Sequence, residues 1–188
     1  GALKFLIQTL GNLFVIALLL RFMMQLFRVP FRNPFAQFVV AVTDFAVKPL
    51  RRVVPGLFGL DWACLVLAWL VEFAVVLASY WLDGFPFGLA GARVWPVMLG
   101  LAGVRLLSLT VYLIIGLTLV RAVLSWVNSD TPLLPVVYEL TEPFLRPLRR
   151  FIPMVANVDL TPLVLFIVCQ LVLMVPVLAL ERALLGSL

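Results

Sequence analysis

The sequence predicts an all-α membrane protein with four transmembrane helices, arranged as two helical hairpins of parallel topology. Composition is the first observation behind this prediction. The 188-residue chain is 64% hydrophobic and 12% charged, whereas soluble domains are nearer half apolar and a quarter charged. The second observation is a set of four apolar runs, each long enough to cross a hydrocarbon core of about 30 Å.

The third observation is a pattern that occurs twice, at 43–61 and 141–159. The copies read Thr-Asp-Phe-Ala-Val-Lys-Pro-Leu-Arg-Arg-Val-Val-Pro and Thr-Glu-Pro-Phe-Leu-Arg-Pro-Leu-Arg-Arg-Phe-Ile-Pro, and in each an Asp follows after five more residues. Matched positions are 98 residues apart throughout, which indicates an internal duplication. We therefore expect a single membrane domain over 1–188, with repeat 1 at about 1–82, a linker at 83–96 and repeat 2 at about 97–180.

The four spans are expected at about Leu3–Phe27, Trp62–Leu82, Val97–Trp126 and Pro162–Leu180. Arg21 lies in the final turns of the first span, where a long side chain can extend toward the headgroups.

Within repeat 1, residues 34–48 are predicted to form an amphipathic surface helix that begins with Asn33 as N-cap and Pro34 in the first turn. Apolar residues follow helical spacing on one face, and polar residues fall on the other. The apolar face is expected to comprise Phe35, Phe38, Val39, Val42 and Phe45, and the polar face Gln37, Asp44 and Lys48.

Repeat 2 has a similar helix from Thr131 and Pro132 onward. Its expected apolar face is Leu133, Val136, Val137, Leu140 and Phe144, and its polar face is Glu139, Glu142 and Arg146. Pro143 is expected to break this helix, because proline lacks the N–H that a helix interior needs.

The repeated motif itself predicts a short helix that is basic on one side and apolar on the other. Its basic residues are Lys48, Arg51 and Arg52 in one copy, and Arg146, Arg149 and Arg150 in the other. The opposite faces carry Leu50, Val53 and Val54, and Leu148, Phe151 and Ile152. Such a helix lies in the membrane interface, and Pro55 and Pro153 are expected to end it. It can capture an anionic lipid headgroup or an acidic partner segment specifically, or serve as a general anchor; both interpretations remain open.

Because each repeat has an even number of spans, the two motifs are expected on the same side of the membrane. The loops on that side carry most of the basic residues. The positive-inside rule then places the motifs in the cytoplasm and both termini outside.

Several polar residues are predicted to lie inside the membrane. Glu72 is central in the second span, and its counterpart 98 positions later is Gln170. We expect Glu72 to pair with Arg105, because an isolated charge at mid-membrane costs about 2.5–3.5 kcal/mol. The remaining members of this predicted cluster are Gln8, Asn12, Ser108 and Tyr112. The cluster is either structural, locking the helices together, or a polar path for ions.

Asp61 and Asp159 precede the second and fourth spans. They are expected to cap these helices, or alternatively to form ion pairs that fold the diarginine segments back. The chain has no histidine, which excludes His-ligated metals and His-based triads. Cys64 and Cys169 are interpreted as small buried hydrophobes. No pairing of nucleophile and base, metal-ligand spacing or phosphate loop is present, so we expect no enzyme activity, no cofactor and no metal.

The repeated motif resembles that of the YggT family, also called YlmG, a duplicated membrane module. Thr141, Pro143, Pro147, Arg149, Arg150, Pro153 and Asp159 match, with Thr161 and Pro162 in place of a Ser-Pro pair. In the first copy Thr43, Pro49, Arg51, Arg52, Pro55 and Asp61 match, whereas Phe45 replaces the first proline. The resemblance implies a bacterial inner-membrane protein associated with osmotic stress or cell division; plastid relatives are linked to nucleoid organisation and cytochrome maturation.

We therefore expect a non-enzymatic scaffold or assembly factor that contacts anionic lipids and either other membrane subunits or further copies of itself. Nucleic acid is not an expected partner. The alternative is a small channel or transport accessory, with a polar path between the repeats.

Overall fold

The computed structural model describes residues 1–56, 58–128, 130–156 and 159–188. These residues form an all-helical bundle. Its helices are α1 (Ala2–Leu26), α2 (Pro34–Arg51), α3 (Trp62–Leu82), α4 (Phe87–Ala90), α5 (Val94–Val127), α6 (Leu133–Arg149), α7 (Thr161–Val172) and α8 (Leu178–Gly186). Four helical segments are long and apolar enough to cross a membrane: α1, α3, α5 and the continuous run Thr161–Gly186.

The last span contains one π-helical turn, Leu173–Val177, which joins α7 to α8. Pro176 lies within it. Proline removes a backbone donor and its ring crowds the carbonyl of the preceding turn, so a locally wider turn keeps the helix continuous. The run therefore extends to Gly186, past the predicted end at Leu180.

Helices α1 and α3 pack closely against each other. Gly11 of α1 lies directly against the Val75 side chain of α3, where a Cβ would overlap Val75 Cγ2. Near the N-terminal end of α1, Gln8 Nε2 donates to Ser79 Oγ at 3.2 Å. Lys4 Nζ and Asp83 Oδ2 form an ion pair at 2.6 Å. Small residues and polar pairs of this kind join helices in membranes, where lipid is as apolar as the side chains.

Helix α5 connects the two halves of the bundle. Its N-terminal part packs on α3, where Val76 clusters with Val94, Met98 and Leu101. Its middle packs on α7, where Val111 clusters with Leu165 and Cys169. The expected burial of both cysteines is observed, and they lie as free thiols in separate apolar clusters.

Helices α2 and α6 lie at the same end of the bundle. Ala36 and Val39 of α2 share an apolar cluster with Val137 and Leu140 of α6. At the start of both helices, Asn33 Nδ2 donates to the carbonyl of Pro132 at 2.6 Å. Both helices therefore belong to one layer that covers this end of the spans.

The face that α2 buries differs from the predicted one. The buried residues are Ala36, Val39, Thr43 and Val47. Phe38, Val42 and Phe45 are exposed, so the wide apolar stripe divides between the bundle and the surroundings. The prediction counted apolar residues alone, whereas tight packing on α1 and α3 selects small side chains. In α6 the buried face includes the predicted Val136, Val137 and Leu140.

The predicted break at Pro143 does not occur. α6 continues from Leu133 to Arg149, with Pro143 and Pro147 inside it. Pro143 and Glu139, whose carbonyl would accept the missing hydrogen bond, are both exposed. Leu140 and Leu145 on the opposite side are fully buried, and this packing holds the helix together despite the lost bond. The predicted separate diarginine helix is likewise absent, because Lys48 and Arg51 form the last turn of α2.

Candidate functional site

The basic end of the bundle is organised by an arginine of the first span. The Arg21 side chain was expected to extend to the headgroups, but Arg21 is only 3% exposed. Its Nη1 donates to Thr43 Oγ1 and to Asp44 Oδ1, each at 2.9 Å. Thr43 Oγ1 in turn donates to the carbonyl of Val39. The Thr-Asp pair at the start of the repeated motif thus receives an arginine from α1.

Repeat 2 contains the same arrangement. Arg121 Nη1 donates to Thr141 Oγ1 at 3.0 Å, and Arg121 Nη2 lies 2.7 Å from Glu142 Oε1. The guanidinium also stacks 3.8 Å above the ring of Tyr138, a favourable cation–π contact. Arg21 and Arg121 occupy corresponding positions in the two spans. The signal for this pairing was present in the sequence, as an acidic residue in the motif and an arginine late in the preceding span, but sequence alone did not indicate that the two meet.

These contacts lower the pKa of both acidic residues, Asp44 and Glu142. Burial acts to raise the pKa of Asp44, but hydrogen bonding to Arg21, and its charge, outweigh that effect and lower the pKa below its ordinary value. Glu142 behaves the same way: burial raises its pKa, and the hydrogen bond and charge of Arg121 lower it further than burial raises it. Both groups are therefore held as carboxylates at neutral pH.

The first arginine of each diarginine pair is also bound by a carboxylate. Arg51 is paired with Asp61, and this hydrogen bond raises the pKa of Arg51. Arg149 lies 3.6 Å from Asp159 and 3.0 Å from Glu142. Each pair ties the end of α2 or α6 to the loop that enters the next long apolar helix.

The two aspartates differ in helix capping. Asp61 makes no side-chain cap on α3, and its backbone N–H donates to Gln25 Oε1 at 3.0 Å. Asp159 accepts from both the backbone N–H and the hydroxyl of Thr161 at the start of α7. Asp61 thus serves as an ion-pair partner, and Asp159 accepts hydrogen bonds from the first residue of α7 and also lies near Arg149.

The second arginine of each pair is arranged differently. Arg52 and Arg150 are exposed, as is Arg146, and in the described ranges none of the three has an ion-pair partner. Exposed apolar side chains lie near them in the sequence. Phe58 is 95% exposed and Phe151 83% exposed, and Val53, Met154 and Val155 are exposed as well. We call residues 48–56 with Phe58 the first elbow and residues 146–155 the second elbow.

A cavity adjoins the ion pairs in each repeat. The one in repeat 1, of about 390 Å³, is lined by Gln25, Arg51, Gly56, Gly59, Leu60 and Asp61. The one in repeat 2, of about 420 Å³, is lined by Thr118, Arg121, Ala122, Ser125, Trp126, Tyr138, Asp159 and Pro162. Each cavity lies between the C-terminal end of α1 or α5 and the Asp of the motif that follows it.

The predicted ion pair between Glu72 and Arg105 is not formed. Glu72 is 1% exposed and its Oε1 has no hydrogen-bond partner in the part of the chain that the structure describes. No nitrogen–oxygen distance within 4.0 Å joins Glu72 to Arg105. The exposed Arg105 side chain instead lines a pocket of about 190 Å³ at the end opposite the elbows, beside Asp83 and Glu181.

The rest of the predicted polar cluster is dispersed. Gln8 lines the same pocket and bonds to Ser79, and Asn12 is half-buried on α1. Ser108 donates back to the carbonyl of Val104 in its own helix. Tyr112 and Gln170 are exposed on α5 and α7, and neither is among the side chains that line that pocket.

With this geometry established, comparison with known proteins identifies the family. The CCB3/YggT family model matches residues 1–82 and again residues 101–180. The chain belongs to the CCB3/YggT family. The two matched segments coincide with the two halves that carry the arginine–carboxylate pairs.

Relatives of this family member cover most of its length. The uncharacterized protein YggT of Escherichia coli K12 is 35% identical over 175 residues, 92% of this chain and 87% of the relative. The uncharacterized protein PA0392 of Pseudomonas aeruginosa is 34% identical over 170 residues, covering 89% and 84%. An uncharacterized protein of Vibrio alginolyticus is 35% identical over 174 residues, 90% of each chain. No solved structure matches.

Proposed function

We propose that this chain is a non-enzymatic membrane scaffold, or accessory factor, of the bacterial inner membrane. It is anchored to the anionic cytoplasmic leaflet by its two elbows, and its termini are outside. The observation that carries the proposal is the unequal use of the two arginines in each motif. All four arginines are exposed, but Arg51 and Arg149 are bound by aspartates, whereas Arg52 and Arg150 have no ion-pair partner among the described residues.

An exposed arginine beside an exposed aromatic suits the boundary between headgroups and acyl chains. The apolar group enters the membrane while the guanidinium remains at the phosphates. Each basic residue near an anionic leaflet contributes about 1 kcal/mol. Because α2 and α6 lie at one end of the bundle, the two elbows would act on the same leaflet.

The distribution of charge supports the cytoplasmic placement. Basic residues between the spans at the end with the elbows include Arg28, Arg32, Lys48, Arg52, Arg146 and Arg150, whereas the opposite end carries Lys4, Arg93, Arg105 and Arg182. Basic residues concentrate in cytoplasmic loops of membrane proteins. The duplicated topology, with two equivalent hairpins, is supported by the two segments that the family model matches.

Lipid retention tests the proposal with a matched pair of variants. Arg52→Gln with Arg150→Gln removes the exposed arginines, and Arg51→Gln with Arg149→Gln removes the bound ones. In nanodiscs that mix phosphatidylglycerol and phosphatidylethanolamine, native mass spectrometry counts the anionic lipids retained. We expect the exposed-arginine variant to lose anionic lipid about fivefold per elbow, with unchanged thermal stability.

The bound-arginine variant is expected to show the reverse: a lower melting temperature and little change in lipid retention among molecules that remain folded. Equal retention of anionic lipid by the exposed-arginine variant and the unmodified chain would refute the anchoring role. Charge reversal, Arg52→Glu with Arg150→Glu, should also reduce the proteins that co-purify in mild detergent.

The channel alternative gives a different result in liposomes. The proposed scaffold conducts no more ion flux than empty liposomes, and Glu72→Gln leaves that unchanged. If the unmodified chain conducts ions above that background and Glu72→Gln abolishes the flux, the channel alternative is established.

A further inference from the structure

The spanning helix that ends each repeat, α3 in one and the last span in the other, differs sharply in how much of its surface is buried. Glu72 and Val76 of α3 are each 1% exposed. Their counterparts 98 positions later, Gln170 and Met174, are exposed, Met174 by 65%. Three further residues of the last span, Leu163, Leu171 and Val175, are exposed, whereas their counterparts Leu65, Phe73 and Leu77 on α3 are half-buried.

The cause is α5. The N-terminal part of α5 lies on α3, where Val76 packs with Met98 and Leu101. Leu106 of α5, with Gly103, lines a shallow groove beside Leu65 and Trp69. On the last span, the matching face meets no such helix.

That open face is unfavourable in lipid at one position. Gln170 lies well inside a span of 26 residues. An amide facing hydrocarbon has no hydrogen-bond partner, and amides within membranes normally bond to a neighbouring helix. The face therefore combines an apolar stripe with a polar group that needs a partner.

Helix α1 is the counterpart of α5 from residue 101 onward, so it offers the surface that corresponds to this later part of α5. The positions 100 residues before Gly103 and Leu106 are Leu3 and Leu6, and both are exposed. Leu10 and Leu13 continue this exposed stripe at helical spacing. Among the described residues, α7 therefore has an exposed face without a helix in the position that α5 takes on α3. Helix α1, in turn, has an exposed apolar face.

We propose that a second copy of this chain covers the open face of α7, with its α1 in the position that α5 takes on α3. This contact is head-to-tail, so repetition produces a closed ring or an open row rather than a two-fold dimer. The inference rests on the duplication in the proposed function and is independent of lipid binding at the elbows.

Disulfide cross-linking between two differently tagged copies tests this arrangement. In a background with Cys64→Ala and Cys169→Ala, one copy carries Leu6→Cys and the other Leu163→Cys, the counterparts of Leu106 and Leu65. After oxidation in native membranes, we expect a cross-linked species that carries both tags on a non-reducing gel. Leu70→Cys, exposed on the lipid side of α3, replaces Leu163→Cys in the control and should give no cross-link.

A folded background without the mixed cross-link would overturn the proposal. So would efficient cross-linking of Leu163→Cys with itself, which indicates a two-fold contact between α7 helices. Gln170→Leu should reduce the cross-linked fraction about threefold if its amide bonds across the contact. The Arg52→Gln, Arg150→Gln variant should cross-link normally, so failure of lipid anchoring is distinguishable from failure of assembly.

Discussion

Arg21 donates to Asp44 across 2.9 Å, so an ion pair joins the first span to the amphipathic helix that follows it. Arg121 and Glu142 make the corresponding pair at 2.7 Å in the other half of the chain. Each arginine also binds the fully buried threonine that precedes the acid, Thr43 or Thr141. These contacts fix α2 and α6 against the bundle and so position both elbows.

Removing Arg21 should destabilise the protein strongly. Arg21→Gln leaves Thr43 and Asp44 without their shared donor, and losing hydrogen bonds from a charged group to this partly buried pair costs about 2 kcal/mol. We expect a clear drop in melting temperature in detergent, and a similar drop for Arg121→Gln. Arg32→Gln, at an exposed position, is the control and should leave the melting temperature unchanged. Equal stability of Arg21→Gln and Arg32→Gln would show that the pair contributes nothing.

Acid should destabilise the protein through the same carboxylates. The folded-state pKa values of Asp44 and Glu142 are lowered from their ordinary values of 3.8 and 4.5. Folding then favours the ionised form, so this stability is fully present above the ordinary values and is lost as pH falls through the lowered ones. The melting temperature should decline from about pH 5 downward.

The double variant Arg21→Gln, Arg121→Gln provides the comparison for this titration. It should show a shallower decline of melting temperature with acid, since Asp44 and Glu142 lose their closest partners and keep only the more exposed Lys48 and Arg149. A slope identical to that of the unmodified chain would assign the acid sensitivity to other groups.

The contact between α1 and α3 depends on a glycine. A Cβ at position 11 would overlap the Val75 side chain, which is buried and stiff. Gly11→Ala should therefore separate the helices and lower the melting temperature. Gly116→Ala is the matched control, because a Cβ there meets nothing within 4 Å; it should be neutral or stabilising by up to about 1 kcal/mol. A lower melting temperature for Gly116→Ala than for Gly11→Ala would contradict the close approach of α1 and α3.

Backbone strain in the elbow loops predicts a stabilising change. Ala156 has φ of +52° and its counterpart Phe58 has φ of +58°, both in the left-handed region. Ala156→Gly should stabilise the protein by about 1 kcal/mol, because glycine adopts this conformation without steric cost. Gly59→Ala, at φ of +74° with open space around it, should destabilise it by a similar amount. Thermal unfolding of both variants measures the effect, and no gain from Ala156→Gly would argue against the strain.

Sequence reasoning was most accurate for the spans. The predicted Trp62–Leu82 matches α3 residue for residue, and the first span differs by one residue at each end. It was least accurate for contacts between segments. Arg21 was expected at the headgroups and Glu72 was expected to bind Arg105, because depth along a helix was known but the direction of each side chain around it was not.

The repeated motif shows the same limit of prediction from sequence. Its register revealed two equivalent segments, but both arginines of a pair look alike in the sequence. Only the return of the loop to the end of α2 brings Asp61 to Arg51 and leaves Arg52 outside. Likewise, Glu72 and Gln170 are equivalent by position, yet packing buries Glu72 and leaves Gln170 exposed.

The sequence by itself determined the four spans, the basic and apolar composition of the elbows and the family. Transfer of a side chain between water and lipid depends chiefly on that residue and its immediate neighbours along the chain. The tertiary structure decided which arginines are bound, which faces are covered and where the open surface of the last span lies. Those properties depend on how helices distant in sequence pack together, and packing is resolved only when all of them compete for the same space.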